Sequence, residues 1–259
     1  MQLKTIVFIS DLQMPFHDRK AWRAVLDFIK DTQPDEVVNI GDVTDYPQPS
    51  RWTKGTKLEF EGGALKDAAY TRRYYCTELR AVYDGPSSLI GSNHGDRPSL
   101  YFARNNPALL DNEHPNPYTE DRLLHLSDYG IDFHPDFYDF APGWTATHGH
   151  LGFSLSRYGG GTAVGIAKRV GKSVVCGHTH RAGLVPDTNG YSGKTKTLMG
   201  LEIGNLMDMR QASYLKYGAA NWQQAFGIVR VVGNLAFPEL VLINNGKFVV
   251  NGELYGVAA

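Results

Sequence analysis

The sequence predicts an α/β fold of two packed sheets flanked by helices. Short apolar runs alternate with helical stretches over the first part of the chain, and the part after residue 183 is strand-rich with hairpin signals. No repeat, low-complexity tract or long linker interrupts the 259 residues. A chain of this length can bury one large core. Residues 1–259 are therefore read as a single domain, its β-rich part, 184–259, completing the second sheet.

Lys4 to Ser10 is a nearly continuous apolar run, as expected of a strand buried on both faces. Asp18 is placed to cap a helix from Arg19 to Asp31, whose apolar residues Ala21, Trp22, Val25, Leu26, Phe28 and Ile29 have helical spacing. Glu36 to Ile40 is a second buried strand, parallel to the first because a helix connects them. Residues 46–61 are polar, carry two prolines and read as a surface excursion. A long helix follows from Ala64 to Tyr83, then a strand from Ser87 to Ile90. Residues 98–127 hold short helical pieces broken by His114-Pro115-Asn116-Pro117. Trp144–Thr147 and Ser173–Cys176 are further strands, with Tyr158-Gly159-Gly160-Gly161 and a helix from Thr162 to Val170 between them. The last strands are Leu198–Ile203, Phe226–Val232, Leu235–Ile243 and Phe248–Val250, with Gly233-Asn234 and Asn245-Gly246 as hairpin turns.

Composition excludes several classes. Hydrophobic residues make up 42% and charged residues 20% of the chain, as in ordinary globular domains. A net charge of −1 provides no global field toward nucleic acid, although a local basic patch stays open. No stretch approaches the roughly 18 apolar residues of a membrane span, so no membrane partner is expected. MQLKTIVFISDLQ lacks the plan of a signal peptide. The expected location is the cytoplasm, of a host cell if the chain is phage-encoded. Cys76 and Cys176 are then expected to be buried free thiols.

Five clusters carry chemistry: Asp11-Leu12-Gln13, Gly41 to Asp45, Asn93-His94, His148-Gly149-His150 and Gly177 to His180. Each alone is weak, since an Asp after a strand is usually a turn or a cap. Together they follow successive apolar strands, and open α/β sheets bind ligands beyond strand carboxyl ends. Carboxylate, amide and imidazole donors without thiolate suit divalent first-row metals. Asp42 has two oxygens with which to bridge two ions, and a pair about 3.5–4 Å apart activates phosphoryl transfer. His114, His125 and His134 fall outside the set; His17, close to Gln13, reads as part of the helix start, with a place behind the ligands or at the substrate as the other reading.

The ordered set resembles the calcineurin-like metallophosphoesterases, whose pattern is D-x-H, G-D-x-x-D, G-N-H, H-x-H and G-H-x-H. The GHTHR of Gly177–Arg181 and the β-rich tail are closest to bacterial and phage phosphoesterases, and the resemblance spans most of the chain. It implies a four-layer α/β/β/α sandwich. It implies one metal on Asp11, Gln13, Asp42 and His180, and a second on Asp42, Asn93, His148 and His178. It also implies that His94 faces the substrate, paired with Asp45, and that His150 stands behind the ligands. Two positions depart from the pattern. Ser92 replaces the glycine before Asn93, a loop adjustment. Gln13 replaces histidine, a harder and weaker donor that tilts the site toward Mn²⁺ or Mg²⁺, with Fe²⁺ and Zn²⁺ still open. Water filling the Gln13 position is the other reading.

The implied activity is a metal-dependent phosphodiesterase acting through a bridging hydroxide on nucleotides or other small diesters, with His94 as general acid. Two divalent ions, two carboxylates and a hydroxide leave a formal charge of about +1, which suits a diester monoanion. A nuclease acting on DNA or RNA, then a phosphomonoesterase, are the competing activities; a catalytically silent scaffold is the competing class. The protein phosphatase branch has Arg after G-D-x-x-D and Glu after G-N-H, where this chain has Tyr46 and Gly95. Arg97 is a candidate phosphate ligand. Arg51, with Lys54 and Lys57, either lines a substrate groove or is solvated surface.

Overall fold

Alternation along the first strand, β1 (Leu3–Ile9), builds two cores at once. Val7 and Ile9 turn to a helix-covered core, whereas Ile6 and Phe8 turn to a core between two sheets. The computed structural model describes residues 2–111, 113–212 and 220–256.

One sheet has six strands in the order β11-β10-β1-β2-β3-β4. Here β2 is Glu36–Asn39, β3 Ser87–Ile90, β4 Ile131–His134, β10 Ala225–Val232 and β11 Leu235–Leu242. From β1 to β4 all neighbours are parallel, and β10 and β11 add antiparallel beyond β1. The other sheet has five strands in the order β5-β6-β7-β9-β8. These are β5 Phe137–Ala141, β6 Trp144–Thr147, β7 Ser173–Cys176, β8 Ala182–Tyr191 and β9 Lys194–Ile203. Strands β6, β7 and β9 run parallel.

Helix α1 (Arg19–Thr32) covers the six-stranded sheet with Trp22, Val25, Phe28 and Ile29. The Asp18 side chain accepts hydrogen bonds from the N–H groups of Lys20 and Ala21, the capping expected from sequence. The predicted helix at 64–83 forms, but not as one α-helix. Helix α2 (Ala64–Thr71) passes through a π turn, Arg72–Thr77, into a last turn, Glu78–Val82. The Tyr74 carbonyl in the wide turn accepts the Trp22 indole N–H at 2.9 Å. Helix α3 (Arg97–Asn105) follows β3, and α4 (Gly161–Val170) covers the five-stranded sheet through Ala163, Ile166 and Ala167. The layers are therefore helix, sheet, sheet, helix, with a core at each of the three boundaries. Cys76 and Cys176 are buried and free. Among the described residues, no helix is long and apolar enough to cross a membrane.

The C-terminal strands do not complete one sheet as expected from sequence; they divide between the two. Strands β8 and β9 join the second sheet, while β10 and β11 extend the first. Residues Phe226 and Ile228 of β10 face the helix-covered core, and Val229 and Val231 face the core between sheets. A strand apolar on both faces requires a central position, and β10 gains it beside β1. The hairpin β12 (Phe248–Val250) with β13 (Glu253–Tyr255) packs instead on α1. There Phe28 meets Phe226, Phe248 and Tyr255 at ring separations of 5.5, 6.0 and 5.3 Å.

Four strands were not legible. β4 and β13 are short, and β5 is followed at once by β6. β8 is an exposed edge carrying Pro186 and Asn189-Gly190, which sequence rules read as turn. Its partner β9 defines it, through a turn at Ser192 and Gly193 with φ of 51° and 75°.

Phe28 is 2% exposed and joins α1 to the C-terminal strands. Phe28→Ala is expected to lower unfolding free energy by about 3–5 kcal/mol in urea titrations, and Phe28→Leu by markedly less.

Candidate metal centre

All five clusters stand directly after parallel strands: β1, β2, β3, β6 and β7. Backbone bonds fasten the first two loops together, Asp11 N–H to the Gly41 carbonyl at 3.1 Å and Gln13 N–H to the Asp42 carbonyl at 2.9 Å. Five residues of the set, Asp11, Gln13, Asp42, His178 and His180, have left-handed backbones, with φ between 48° and 68°. Non-glycine residues rarely adopt this region. Here it folds each loop back, so that successive side chains return to the same end of the sheets.

Asp42, His148 and His178 present ligand atoms within 4.8 Å of one another. His148 Nδ1 lies 2.7 Å from the Ile40 carbonyl, which can only accept, so Nδ1 carries the proton. In a neutral imidazole, Nε2 is then a bare lone pair. It faces Asp42 Oδ2 at 3.2 Å and Asn93 Oδ1 at 3.1 Å. Three electron-pair donors converge with no proton between them, an arrangement that a cation satisfies. Burial opposes protonation of His148, yet the carboxylates of Asp42 and Asp11 raise its pKa to about 9. In the absence of metal, a proton takes the same place. Burial raises the Asp42 carboxyl, but His148 and His94 hold it well below its ordinary range.

The second half of the cluster lies across Asp11. Its Oδ2 accepts the Ser10 hydroxyl at 2.5 Å and the His178 N–H at 3.0 Å. Its Oδ1 makes no hydrogen bond and stands 3.1 Å from His180 Nε2. A Cβ on Gly177 would come 2.0 Å from Ser10 Oγ, so this close approach excludes any side chain there. Gln13 Nε2 is 3.1 Å from His180 Nε2. The amide therefore turns its nitrogen toward His180, and a ligand role would require rotation to present Oε1. Burial, then the nearby His148 charge, lowers the pKa of both His178 and His150 to about 4, which keeps them neutral. The His150 ring is 5.4 Å from that of His148 and 6.3 Å from that of His178, and its Nδ1 has no hydrogen-bond partner.

On the opposite rim, His94 Nδ1 lies 2.9 Å from Asp45 Oδ1, and its Nε2 lies 3.7 Å from Asp42 Oδ2. Arg97 approaches that same Nε2 at 2.8 Å and donates to the Asp45 carbonyl at 2.6 Å. Arg51 stands further out, stacked over the Trp52 ring at 4.6 Å. His17 does not reach the centre. It lines a separate cavity with Phe16, Arg19 and Asp208, and its ring is 5.9 Å from that of Tyr70. The β1–α1 connection passes the centre at Gln13 and then turns away, so proximity in sequence does not carry His17 back.

Sequence reasoning missed four contributors. Trp222, from a segment without a motif, packs at a tilt against His180 with ring centroids 4.4 Å apart. Exposed Trp52 lines the cleft of about 650 Å³ over the centre. Ser92 is more than a loop adjustment: its Oγ accepts the N–H of Asp42 at 2.9 Å and of Gly95 at 3.2 Å, tying two loops together. Glu120 is wholly buried against the same loop, both its carboxyl oxygens without partners, and burial raises its pKa well above the usual range. A Cβ on Gly95 would lie 1.9 Å from Glu120 Oε2. The signal for both was the odd pair Ser92 and Gly95. Gly95→Ala is expected to destabilise by about 1–3 kcal/mol. Adding Glu120→Ala should recover part of that loss in a double-mutant cycle read by thermal unfolding.

No protein-family model matches the chain. Among solved structures, Vacuolar Protein Sorting 29 from Cryptosporidium parvum shares 14% identity at a TM-score of 0.46, covering 97% of each chain. Yfce, a phosphoesterase from E. coli, shares 15% identity at a TM-score of 0.41, covering 93% of this chain and all of the other. The Gene 54 proteins of Mycobacterium phages D29 and L5 are each 47% identical over 255 residues, which is 98% of this chain and 99% of each relative. Identity at that level over nearly the full length places the chain in the family of the mycobacteriophage Gene 54 proteins.

Proposed function

We propose that this chain is a metal-dependent phosphodiesterase of the calcineurin-like type, acting on nucleotides or other small phosphodiesters. The observation that carries the reading is the convergence of bare donors, His148 Nε2, Asn93 Oδ1 and Asp42 Oδ2, within about 3 Å of His148. The donor set fits divalent ions: Asp42, Asn93, His148 and His178 on one side, and Asp11, Gln13, Asp42 and His180 on the other. Bound there, such ions supply charge neutralisation to the phosphoryl group and acidify water, with Mn²⁺ the metal best matched to Gln13.

The chain's own residues do the rest. Asp45 holds the Nδ1–H of His94; as the imidazolium, His94 would give its Nε2 proton to the leaving oxygen and keep the one on Nδ1. The backbone N–H of His94 donates to Asp42 Oδ1 at 3.1 Å, which ties the loop carrying His94 to that carboxylate. Arg97 stands where a phosphoryl oxygen would meet a planar donor, and its tie to the Asp45 carbonyl orients it. The ring of His150 packs at a tilt beside those of His148 and His178.

Hydrolysis of an aryl phosphodiester is expected with added Mn²⁺ and is expected to stop in chelator. His94→Ala should lower kcat by about 10²–10⁴-fold. Asn93→Ala should lower it too and weaken metal binding. Absence of metal-dependent turnover, with both variants equal to wild type, overturns the proposal. Gln13→His is expected to tighten Zn²⁺, read as a lower Kd in competition with a chromophoric chelator. An unchanged Kd means that residue 13 does not coordinate.

A further inference from the structure

We infer that a groove beside the metal centre binds a single-stranded polynucleotide, which would make the diester of the proposed reaction a linkage within a strand and not a small free diester. The groove opens from the cleft over the metal ligands and shares Trp52, Asn93, Arg97 and His178 with it. One wall is the face of α3 that carries Arg97, Leu100, Tyr101 and Arg104, at helical spacings of three and four residues. The other wall is the excursion that carries Arg51 and Trp52. Among the described residues, no acidic side chain lines the groove. A chain with net charge −1 thus concentrates three arginines along one channel that ends at the metal ligands.

Three features select the occupant. Trp52 is 76% exposed at the groove, with Arg51 across its ring, and offers an indole face on which a planar group can stack. Bases of a single strand offer such faces, whereas those of a duplex are stacked on each other. Arg97 and Arg104, seven residues apart on α3, are about 10 Å apart along the helix axis. Two arginines at that separation meet different phosphates of one strand. A mononucleotide would leave Arg104 without a phosphate.

The inference rests on the phosphodiesterase proposal for its reacting end but not for its groove, and the test separates them. The full-length protein in EDTA is titrated into fluorescein-labelled (dT)12, (U)12, a 12-base-pair duplex and unlabelled thymidine monophosphate as competitor. Anisotropy is expected to show the single strands binding tighter than both the duplex and the mononucleotide, with the DNA and RNA arms naming the preferred sugar. Trp52→Ala should weaken strand binding about tenfold. Arg104→Ala should reduce the slope of log K against log salt by about 0.7. Both residues are exposed, and matching thermal unfolding of the variants confirms that they fold. Strands that bind no tighter than the mononucleotide, a duplex that binds as well as a strand, or variants equal to wild type each overturn the groove. Turnover of the aryl diester by the wild-type protein reads the metal centre independently of that outcome.

Discussion

Asp42 is the residue around which the site is arranged. Its side chain is 1% exposed, and a carboxylate that deep costs several kcal/mol in lost hydration unless positive charge and donors replace water. The replacement comes from two separate segments, the loop after β3 and the loop after β6. The His94 N–H meets Oδ1, His148 faces Oδ2, and Ser92 holds the Asp42 backbone from below. None of these groups is near Asp42 in sequence. The parallel order of β2, β3, β6 and β7 in two facing sheets brings them together, and the core between the sheets holds that order in place.

Backbone strain follows from the same constraint. Several side chains must return to one point within a few residues of each strand end, and the left-handed region supplies the reversal at Asp11, Gln13, Asp42, His178 and His180. Each such residue costs on the order of 1 kcal/mol or more. That cost persists because hydrogen bonds between loops and the surrounding packing determine the conformation. In the metal-free protein, the converging donors also repel one another unless His148 is protonated. A cation held by Asp42, His148 and His178 would relieve this repulsion and would link its occupancy to the stability of the loop end.

The groove proposed for the substrate is built differently from the candidate metal centre. Metal donors are buried and tied to strand ends, whereas Arg51, Trp52 and Arg104 are exposed and stand on an excursion and a helix. Buried donors define what chemistry can occur. Exposed arginines and aromatics define what can be brought to it, and they can change without disturbing the core. Glu120 belongs to neither set: it is a buried acid against Gly95, supporting the loop that carries Asn93 and His94.

The sequence alone determined the alternating strands and α1 with its Asp18 cap, because apolar periodicity and capping are local properties. It also disclosed the five clusters after successive strands, whereas their assignment as metal ligands is what the family resemblance implies. Pairing Gly233-Asn234 with two apolar runs likewise disclosed β10 and β11 as a hairpin. Only the tertiary structure decided that this hairpin extends the first sheet, since burial of both faces of β10 depends on what lies above and below it. Only the tertiary structure sent His17 into another cavity and brought Trp52, Trp222, Ser92 and Glu120 to the site. Such residues act through proximity across loops, and proximity across loops has no period in a sequence.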